Sequence, residues 1–371
     1  MLASEIIDGI NQRVPEGLQE SWDNSGLQLG DKNQSVEGVM VALEVTDGVI
    51  DEAIERKCQM IITHHPFFFS PIQSLDFTSF RGKLAHRLIE NQILVYSAHT
   101  NLDQMSFGIS RALAKQLGME NCSFLQSTSA IKGYKLSTFV PENYSKEVLF
   151  AMLEAGGGTL RNYTHCSFST EGIGTFRAQH GARPFLGEVN HLAEFKEIKL
   201  EVLVTDLNRD QVIDAMLKAH PYEVAAYDLL AMENSLDETG YGMVGELVES
   251  RSIADYADEV AKKFACPVRI HGDRDRLVKT VSCCGGEGAD LIPLAAAHSE
   301  LYVTGDIRAS KAQMAIEAGL ALLVLPHRET EKPGVDHFRT LLKEWFVDLT
   351  VFGTEADDVV ETSWTNSLAD C

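Results

Sequence analysis

Three apolar segments of this chain each lead into histidine or a carboxylate, and this pattern constrains the fold more than any other feature. The segments are residues 60–63, 93–98 and 320–325, and the side chains that follow them are His64, His65, His99, Asp103, His327 and Glu331. Buried parallel strands present functional side chains at the carboxyl edge of their sheet. Scattered core histidines would not follow three strands in this way. The sequence therefore predicts an α/β fold with a site at such an edge.

The adjacent pair His64 and His65 is followed at once by Pro66, which ends the strand. Successive side chains of a strand point to opposite faces. The two imidazoles can therefore serve two different metal ions instead of chelating one. For an isolated pair the alternative is a turn residue beside a core histidine, and the other two segments favour the metal site.

Each of the other two segments ends in a histidine with an acid four residues later. Imidazole with carboxylate is a ligand set for Zn, Fe, Mn or Co and not for Ca or a thiolate site. The spacing places both side chains on one side of a helical turn or within one loop. A transition-metal site is the chemistry that these residue types indicate.

The same residues give the chain a resemblance to a known family. It resembles the NGG-one-interacting-factor family, whose bacterial members are often called GTP cyclohydrolase type 2 homologues, over nearly its whole length. The matching motifs are WDNSGLQLG at 22–30, THHP at 63–66, HTNLD at 99–103, TGD at 304–306 and HRETE at 327–331.

The resemblance implies a centre of two divalent transition-metal ions per chain, with zinc first and iron, manganese or cobalt as alternatives, in a toroidal homohexamer. It implies that His65 and Asp103 hold one ion, that His64 and His327 hold the other, and that Glu331 bridges. His99 would be an acid/base group or would support a ligand, and its alternative is a strand-end hydrogen bond. Two carboxylates offset two of the four positive charges, which favours a bridging water or hydroxide.

The chain departs from the family pattern at two positions. Ser310 stands where long relatives carry a histidine shortly after the TGD motif, and Pro326 replaces the glycine before the last histidine. The five expected ligands are retained. The departures therefore bear on proton transfer and not on metal binding.

The function that the resemblance implies is metal-assisted hydrolysis of a small, nucleotide-like molecule. For GTP, water would open the purine at C8 and release formate. The substrate follows from the family name, because the sequence contains no motif for reading guanine or binding a triphosphate. The rival class is a non-enzymatic metal-binding regulatory or scaffold protein with a sensor-like inserted domain.

Composition limits the partners. The formal charge of −22 argues against duplex nucleic acid and anionic membranes, which require a basic face. No stretch reaches the roughly 20 apolar residues of a membrane helix, and the start of the chain lacks the features of a signal peptide. Seven scattered cysteines fit a reducing compartment, so we expect a cytoplasmic protein.

Three segments define the expected domains. Residues 1–128 and 241–371 show alternating strand and helix patterns, which predict a mostly parallel, three-layer α/β metal domain. Residues 129–240 show a ferredoxin-like α+β pattern that looks like the inserted PII-like or CutA-like module of long family members. The expected ligands lie on both sides of this segment, so the metal domain must be discontinuous.

Other motifs have two readings each. The glycine-rich residues 283–289 predict either a loop whose backbone amides bind a phosphate or oxyanion or a tight strand-to-helix turn. Cys283 and Cys284 are predicted to be core and turn residues, with a ligand role as the alternative. His220, with Tyr222 and Glu223, forms either an extra metal or ligand site or a helix cap stopped by proline. Trp22 and Asp23 either fix a loop over the sheet or line a pocket.

Overall fold

The computed structural model describes residues 1–128, 131–160, 163–234 and 239–356. The helices found there are α1 (Ala3–Asn11), α2 (Asp47–Glu55), α3 (Phe80–Glu90), α4 (Thr100–Asp103), α5 (Ile109–Leu117), α6 (Ser145–Glu154), α7 (Arg209–Ala219), α8 (Ile253–Phe264), α9 (Ile292–His298), α10 (Ala309–Glu317) and α11 (His327–Trp345). The strands are β1 (Gly26–Leu29), β2 (Gly38–Ala42), β3 (Met60–Thr63), β4 (Leu94–Ser97), β5 (Glu120–Ser127), β6 (Gly133–Pro141), β7 (Ser167–Arg177), β8 (Leu192–Thr205), β9 (Tyr227–Ala231), β10 (Gly240–Ser252), β11 (Arg269–His271), β12 (Leu277–Glu287), β13 (Leu301–Gly305), β14 (Ala321–Leu325) and β15 (Thr350–Gly353).

The chain divides into two compact units. The first comprises Met1–Thr128 with Gly240–Cys371, and the second comprises Ser129–Thr239. The boundaries expected from the sequence were 128/129 and 240/241. The first unit is an α/β unit that contains two sheets, and it is interrupted by the second unit between β5 and β10.

The first sheet has the order β1-β4-β3-β2-β15, and every pairing except that of β1 is parallel. Its strands β2, β3 and β4 are buried along their whole length, which is why they read as continuous apolar runs. Helices α2 and α3 cover one face with buried leucine, valine and isoleucine. Because Thr63 pairs with Ser97, the segments after β3 and β4 emerge side by side.

The second sheet has the order β11-β14-β13-β12-β10-β5. Successive side chains of β13 point to opposite faces of the sheet, and both faces are buried. Leu301 and Val303 pack with α5 and α8, whereas Tyr302 packs with α9 and α10. This sheet is therefore the middle of three layers.

The second sheet is more antiparallel than we expected. Only the pairings β12–β13 and β13–β14 are parallel, and the other three are antiparallel. The insertion accounts for one of these three pairings, β5–β10. The chain leaves at the end of β5 and returns in β10 beside it, with Gly240 opposite Ser127, so β10 must run in the opposite direction.

Helix α11 begins earlier than the sequence indicates. The sequence pattern predicts a final helix over residues 335–346. The helix instead starts at His327 and contains Pro333 in its second turn. The first turn is supported by the Thr330 hydroxyl, which donates to the His327 carbonyl at 2.6 Å, and Gly334 packs closely against Ile109. Of the two expected placements for His327 and Glu331, the helical turn is correct.

The second unit has the element order β6-α6-β7-β8-α7-β9. Its four strands form an antiparallel sheet in the order β7-β8-β6-β9. Helices α6 and α7 pack on one face through Val148, Met152, Val212 and Met216. In the described part of the chain, no helix has both the length and the apolar character needed to cross a membrane.

We predict that the second unit can be replaced by a two-residue turn without loss of the first unit. A variant with Asn-Gly between Ser127 and Gly240 would close β5 and β10 into a hairpin, since these two residues already face each other. We expect a cooperative melt and the same metal content as the full chain. A variant that folds by circular dichroism but binds no metal would show that residues 129–239 contribute to the site.

Candidate metal centre

The turn after β3 fixes the position of His64 and His65. The Thr63 hydroxyl donates to the His65 carbonyl at 2.8 Å, and the Ser97 hydroxyl lies 3.3 Å from the same oxygen. The backbone amide of His65 donates to the carbonyl oxygen of Leu43 at 2.8 Å. Both hydroxyl groups therefore hold the two imidazoles at the carboxyl edge of the first sheet.

His64 is buried and points one specific nitrogen into the site. Its Nδ1 lies 2.9 Å from the carbonyl oxygen of Ala98. A carbonyl only accepts, so Nδ1 carries the proton and donates. Nε2 then faces inward, buried and without a hydrogen-bond partner, 3.7 Å from both Asp103 Oδ1 and Glu331 Oε1. A buried lone pair that faces two carboxylates requires a cation or a proton between them.

Glu331 lies at the centre of the imidazoles. Its Oε1 is 3.0 Å from His327 Nε2, and its Oε2 is 3.1 Å from His65 Nε2. The second contact is short but its direction does not satisfy hydrogen-bond geometry, so Oε2 is a buried acceptor without a donor. Burial acts to raise the pKa of Glu331, but the imidazoles of His327, His64 and His65 outweigh burial and hold the pKa well below its usual value.

The pKa values of His64 and His327 shift upward, in the direction opposite to that of Glu331. Burial favours neutral His64, but the charges of Asp103 and Glu331 outweigh it and raise the pKa to about 9. The contact with Glu331 raises the pKa of His327 to about 9, because it outweighs burial, which lowers the pKa. The pKa of Asp103 is raised by burial, which exceeds the opposing effect of His64 and His99.

His99 stands beside the cluster and is oriented by Asp23. Its Nδ1 lies 2.7 Å from Asp23 Oδ1. Asp23 is itself held because Thr100 donates its backbone amide to Oδ2 at 3.1 Å. Burial would raise the pKa of Asp23, but the hydrogen bonds from His99 and Thr100 lower it far more. Asp23 therefore fixes the loop, which is one of its two predicted roles, and it also orients His99; Trp22 lines the cavity.

Potential ligand atoms fall into two overlapping groups. Ring nitrogens of His64, His65 and His99 lie within 4.8 Å of one another, and so do ligand atoms of His65, His327 and Glu331. The family pattern paired His65 with Asp103 and His64 with His327. The short distances associate His65 with His327 and Glu331, and His64 Nε2 lies 3.7 Å from both Asp103 and Glu331.

Two residues that shape the site have no role in the predictions made from the sequence. Asp306 Oδ2 lies 3.0 Å from His327 Nδ1, which directs Nε2 of that ring to Glu331. At Gly286, which has a φ of +67°, a Cβ atom would lie 2.4 Å from Glu331 Oε1. The TGD motif and the glycine run were the visible signals for these two residues.

The glycine-rich residues 283–289 do not form a phosphate-binding loop. Strand β12 continues to Glu287 and pairs with β13, with a register shift between Cys284 and Glu287. The backbone amides of Gly286 and Gly288 donate to the hydroxyls of Thr330 and Thr304 at 2.9 and 3.1 Å. Cys283 and Cys284 are buried on opposite faces of the sheet. The amides of Gly286 and Gly288 are therefore committed, and Gly288 alone joins β12 to the helical turn Ala289–Leu291 that precedes α9, as the strand-to-helix alternative predicts.

Three further positions that the sequence singled out take no direct part in the candidate centre. His220 ends α7, and its Nε2 contacts the carbonyl of Phe139 at 3.0 Å, which agrees with a helix end. Pro326 immediately precedes α11. Ser310 is exposed on α10 and is not among the residues that line the cavity of the centre.

The cluster opens into a cavity of about 1010 Å³ within the first unit. His65, His99, Asp103, His327 and Glu331 line its inner part. The outer part is lined by Trp22, Phe69, Arg81, Tyr241, Glu287 and Arg308. The cavity is large enough for a small-molecule substrate.

The fold and this cluster define an α/β protein with a candidate centre for two metal ions. The buried Nε2 of His64, the buried carboxylate of Glu331 and the histidine-rich donor set all fit transition-metal ions. The family model described as Duf34/NIF3 (NGG1p interacting factor 3) matches residues 1–358, so the chain belongs to this family.

Relatives and solved structures agree over most of the chain. A GTP cyclohydrolase 1 type 2 homolog of Bacillus subtilis is 36% identical over 360 residues, which cover 95% of this chain and 96% of that protein. A crystal structure of a Bacillus cereus protein related to NIF3 superposes with a TM-score of 0.89 at 33% identity, covering 96% of this chain and 97% of that one. A Staphylococcus aureus protein gives a TM-score of 0.72 at 28% identity, covering 99% and 98%.

We predict that Glu331→Ala is the most damaging single change to metal binding, because this carboxylate contacts three imidazoles. Affinity should fall by more than the roughly 10–100-fold that follows loss of a residue that only orients a ligand. Elemental analysis and a competitive chelator titration measure this. Glu344→Ala, an exposed change on the same helix, is the matched control. Retention of two ions per chain in Glu331→Ala would refute a bridging role.

We also predict a defined pH dependence. The raised pKa values of His64 and His327, about 9 each, mean that both rings are protonated in the metal-free protein near pH 7. They stabilise it fully below their unfolded pKa of about 6.5, and this contribution is lost as pH rises to 9. Metal ions require neutral rings, so metal affinity should rise over the same window.

Calorimetry in buffers of different ionisation enthalpy should therefore detect proton release on metal binding near pH 7, and less release at pH 9. Urea unfolding of the chelated protein should give a lower free energy at pH 9 than at pH 6.5. His86→Gln, which changes an exposed imidazole, should leave both results unchanged. Equal metal affinity at pH 6.5 and pH 9 would contradict the assigned proton positions.

Proposed function

We propose that this chain is a metal-dependent hydrolase that binds two divalent transition-metal ions and acts on a nucleotide-like small molecule. The observation that carries the proposal is the buried contact set around Glu331, where His64 Nε2 and Glu331 Oε2 lack hydrogen-bond partners. Such groups are costly to bury unless a cation satisfies them. A purely structural cluster would have paired them with donors.

The proposed ligands are His64, His65, Asp103, His327 and Glu331. Imidazole and carboxylate donors suit zinc first, with iron, manganese or cobalt as alternatives. The short distances favour one site around His65, His327 and Glu331 and a second around His64 and Asp103. Glu331, which approaches His64 as well at 3.7 Å, is placed to serve both.

The chain's own groups prepare the site for hydrolysis. Divalent ions supply a Lewis acid that polarises a substrate oxygen and lowers the pKa of water. Asp306 and Ala98 fix which nitrogen of His327 and His64 faces the centre. His99, with Nδ1 held by Asp23, can accept a proton at Nε2 while the carboxylate stabilises the resulting imidazolium. A ligand role is the alternative for His99, because its ring also lies among the imidazoles.

The relatives' printed names suggest GTP as the first substrate to test. We expect metal-loaded protein to release formate from GTP, and Asp103→Asn and Glu331→Gln to abolish turnover. Coupled formate detection and chromatography of the nucleotide products measure this, with other nucleotides and nucleosides tested in parallel. Absence of turnover with every metal and substrate, alongside full metal loading, would refute the hydrolase and favour a binding protein.

The second candidate function is a metal-binding regulatory or scaffold protein. The observation that favours it is the second unit, which has its own apolar core and its own cavity of about 780 Å³ lined by Phe139, Phe176, Phe185 and Tyr222. Its element order is that of a ferredoxin-like domain, and we propose that assignment. Partner binding that survives loss of the metal ligands would support this alternative.

We further propose that the chain works as a toroidal homohexamer in the cytoplasm. The six cysteines within the described residues are free thiols, which suits a reducing compartment. A chain with a charge of −22 repels its copies, so a ring needs apolar interfaces. Light scattering at moderate salt distinguishes six times the chain mass of 40.9 kDa from one chain.

A further inference from the structure

Two aromatic side chains stand open at the mouth of the candidate centre. Trp22 is 57% exposed and Phe69 is 50% exposed. Their ring centroids are 5.8 Å apart at an interplanar angle of 29°, so the rings stack on each other. Both line the cavity that contains His65 and Glu331. Phe69 covers only part of the indole, so a large apolar ring surface remains available to an occupant of the cavity.

Polar contacts hold this aromatic pair in place. Asn24 Nδ2 donates to the Phe68 carbonyl at 2.6 Å, and the Phe68 amide donates to Gln28 Oε1 at 3.1 Å. These bonds tie the loop that carries Trp22 to the loop that carries Phe69. The rings are thus positioned by hydrogen bonds of their neighbours while their own surfaces stay exposed. A site that is fixed before binding loses less entropy when it takes a ligand.

The pair adjoins the imidazole cluster directly. The ring of His99 meets Trp22 edge-on at 6.2 Å and 77° and meets Phe69 at 6.0 Å and 70°. His99 also lies 5.1 Å from the His64 ring and 5.7 Å from the His65 ring. A planar group stacked on Trp22 would therefore lie next to the candidate centre.

The charged side chains that line the cavity do not by themselves determine which class of ligand it binds. Arg81 and Arg308 line it, and no carboxylate of the described residues forms an ion pair with either. Glu44 and Glu287 line the same cavity. The two cations can meet an anionic substituent, but the exposed rings are the feature that selects one chemical class over another.

We propose that Trp22 and Phe69 form a stacking platform for the planar heteroaromatic ring of the substrate and thereby select purine-type molecules. This inference rests on the proposed function, because it names the substrate class of the same centre. The cavity volume of about 1010 Å³ accommodates a nucleoside with its phosphates. Stacking on an aromatic side chain is tolerant of the particular base, so purine nucleosides other than guanosine should also bind.

The test is calorimetric binding of guanosine, inorganic tripolyphosphate and ribose 5-phosphate to the metal-loaded full chain. Trp22→Leu and Phe69→Leu remove a ring, and each should weaken guanosine binding about ten-fold or more, within the range measured for loss of a stacking side chain. Trp22→Phe keeps a ring and should retain most of the affinity. Trp345→Phe, on α11 beside Phe338, is the matched control and should bind as the unaltered chain does.

Tryptophan fluorescence gives an independent readout. Guanosine should quench the unaltered chain and Trp345→Phe, whereas Trp22→Phe should bind guanosine with no such quench. Metal content and particle mass should be the same in all variants. Any of three results would overturn the platform. Guanosine could bind Trp22→Leu as tightly as the unaltered chain, guanosine could fail to bind the unaltered chain at millimolar concentration, or ribose 5-phosphate could bind as tightly as guanosine.

The design separates this inference from the hydrolase proposal. Trp22-dependent guanosine binding without turnover would support the platform and refute the hydrolase. Turnover of a nucleotide with the same KM in Trp22→Leu would support the hydrolase and refute the platform.

Discussion

The buried carboxylate of Glu331 is the interaction on which the first unit depends most. It contacts His327 within α11 and reaches His65 and His64 at the edge of the first sheet. An isolated charge at this depth would cost several kcal/mol, and only side chains from both elements offset that cost. The contact therefore fixes α11 against the first sheet, and α11 in turn packs on β12 and β13 of the second sheet. One acid thereby links both sheets of the unit.

The pairing of β3 with β4 at the carboxyl edge of the first sheet sets the positions of the site histidines. Parallel pairing of Thr63 with Ser97 sets where His64, His65 and His99 emerge, and a slip of one residue would turn each side chain to the other face. The hydroxyls of Thr63 and Ser97 bond each other at 2.8 Å at this point. A buried polar pair that is satisfied internally stabilises one register, so the strand pairing and the site geometry reinforce each other.

The sequence predicts the convergence of these residues because the apolar runs and their ends are local signals. It does not reveal that Asp23 orients His99, since the two are 76 residues apart and meet only through tertiary packing. The glycine run suggested a loop, yet the amides of Gly286 and Gly288 find hydroxyl partners from other elements and the strand continues. Likewise, the helix predicted from residue 335 begins at His327, and Gly334 inside it packs on Ile109. Each miss is a long-range contact that prevails over a local preference.

The orientation of the imidazoles matters as much as their positions. His64, His99 and His327 each commit Nδ1 to a separate acceptor, namely the Ala98 carbonyl, Asp23 and Asp306. Each ring then has only Nε2 left for the centre, and its rotation is already restricted. An ion that enters this cluster displaces protons without having to reorient the rings. The Asp306 carboxylate also raises the pKa of His327, so the contact that fixes the geometry of this ring also strengthens it as a donor.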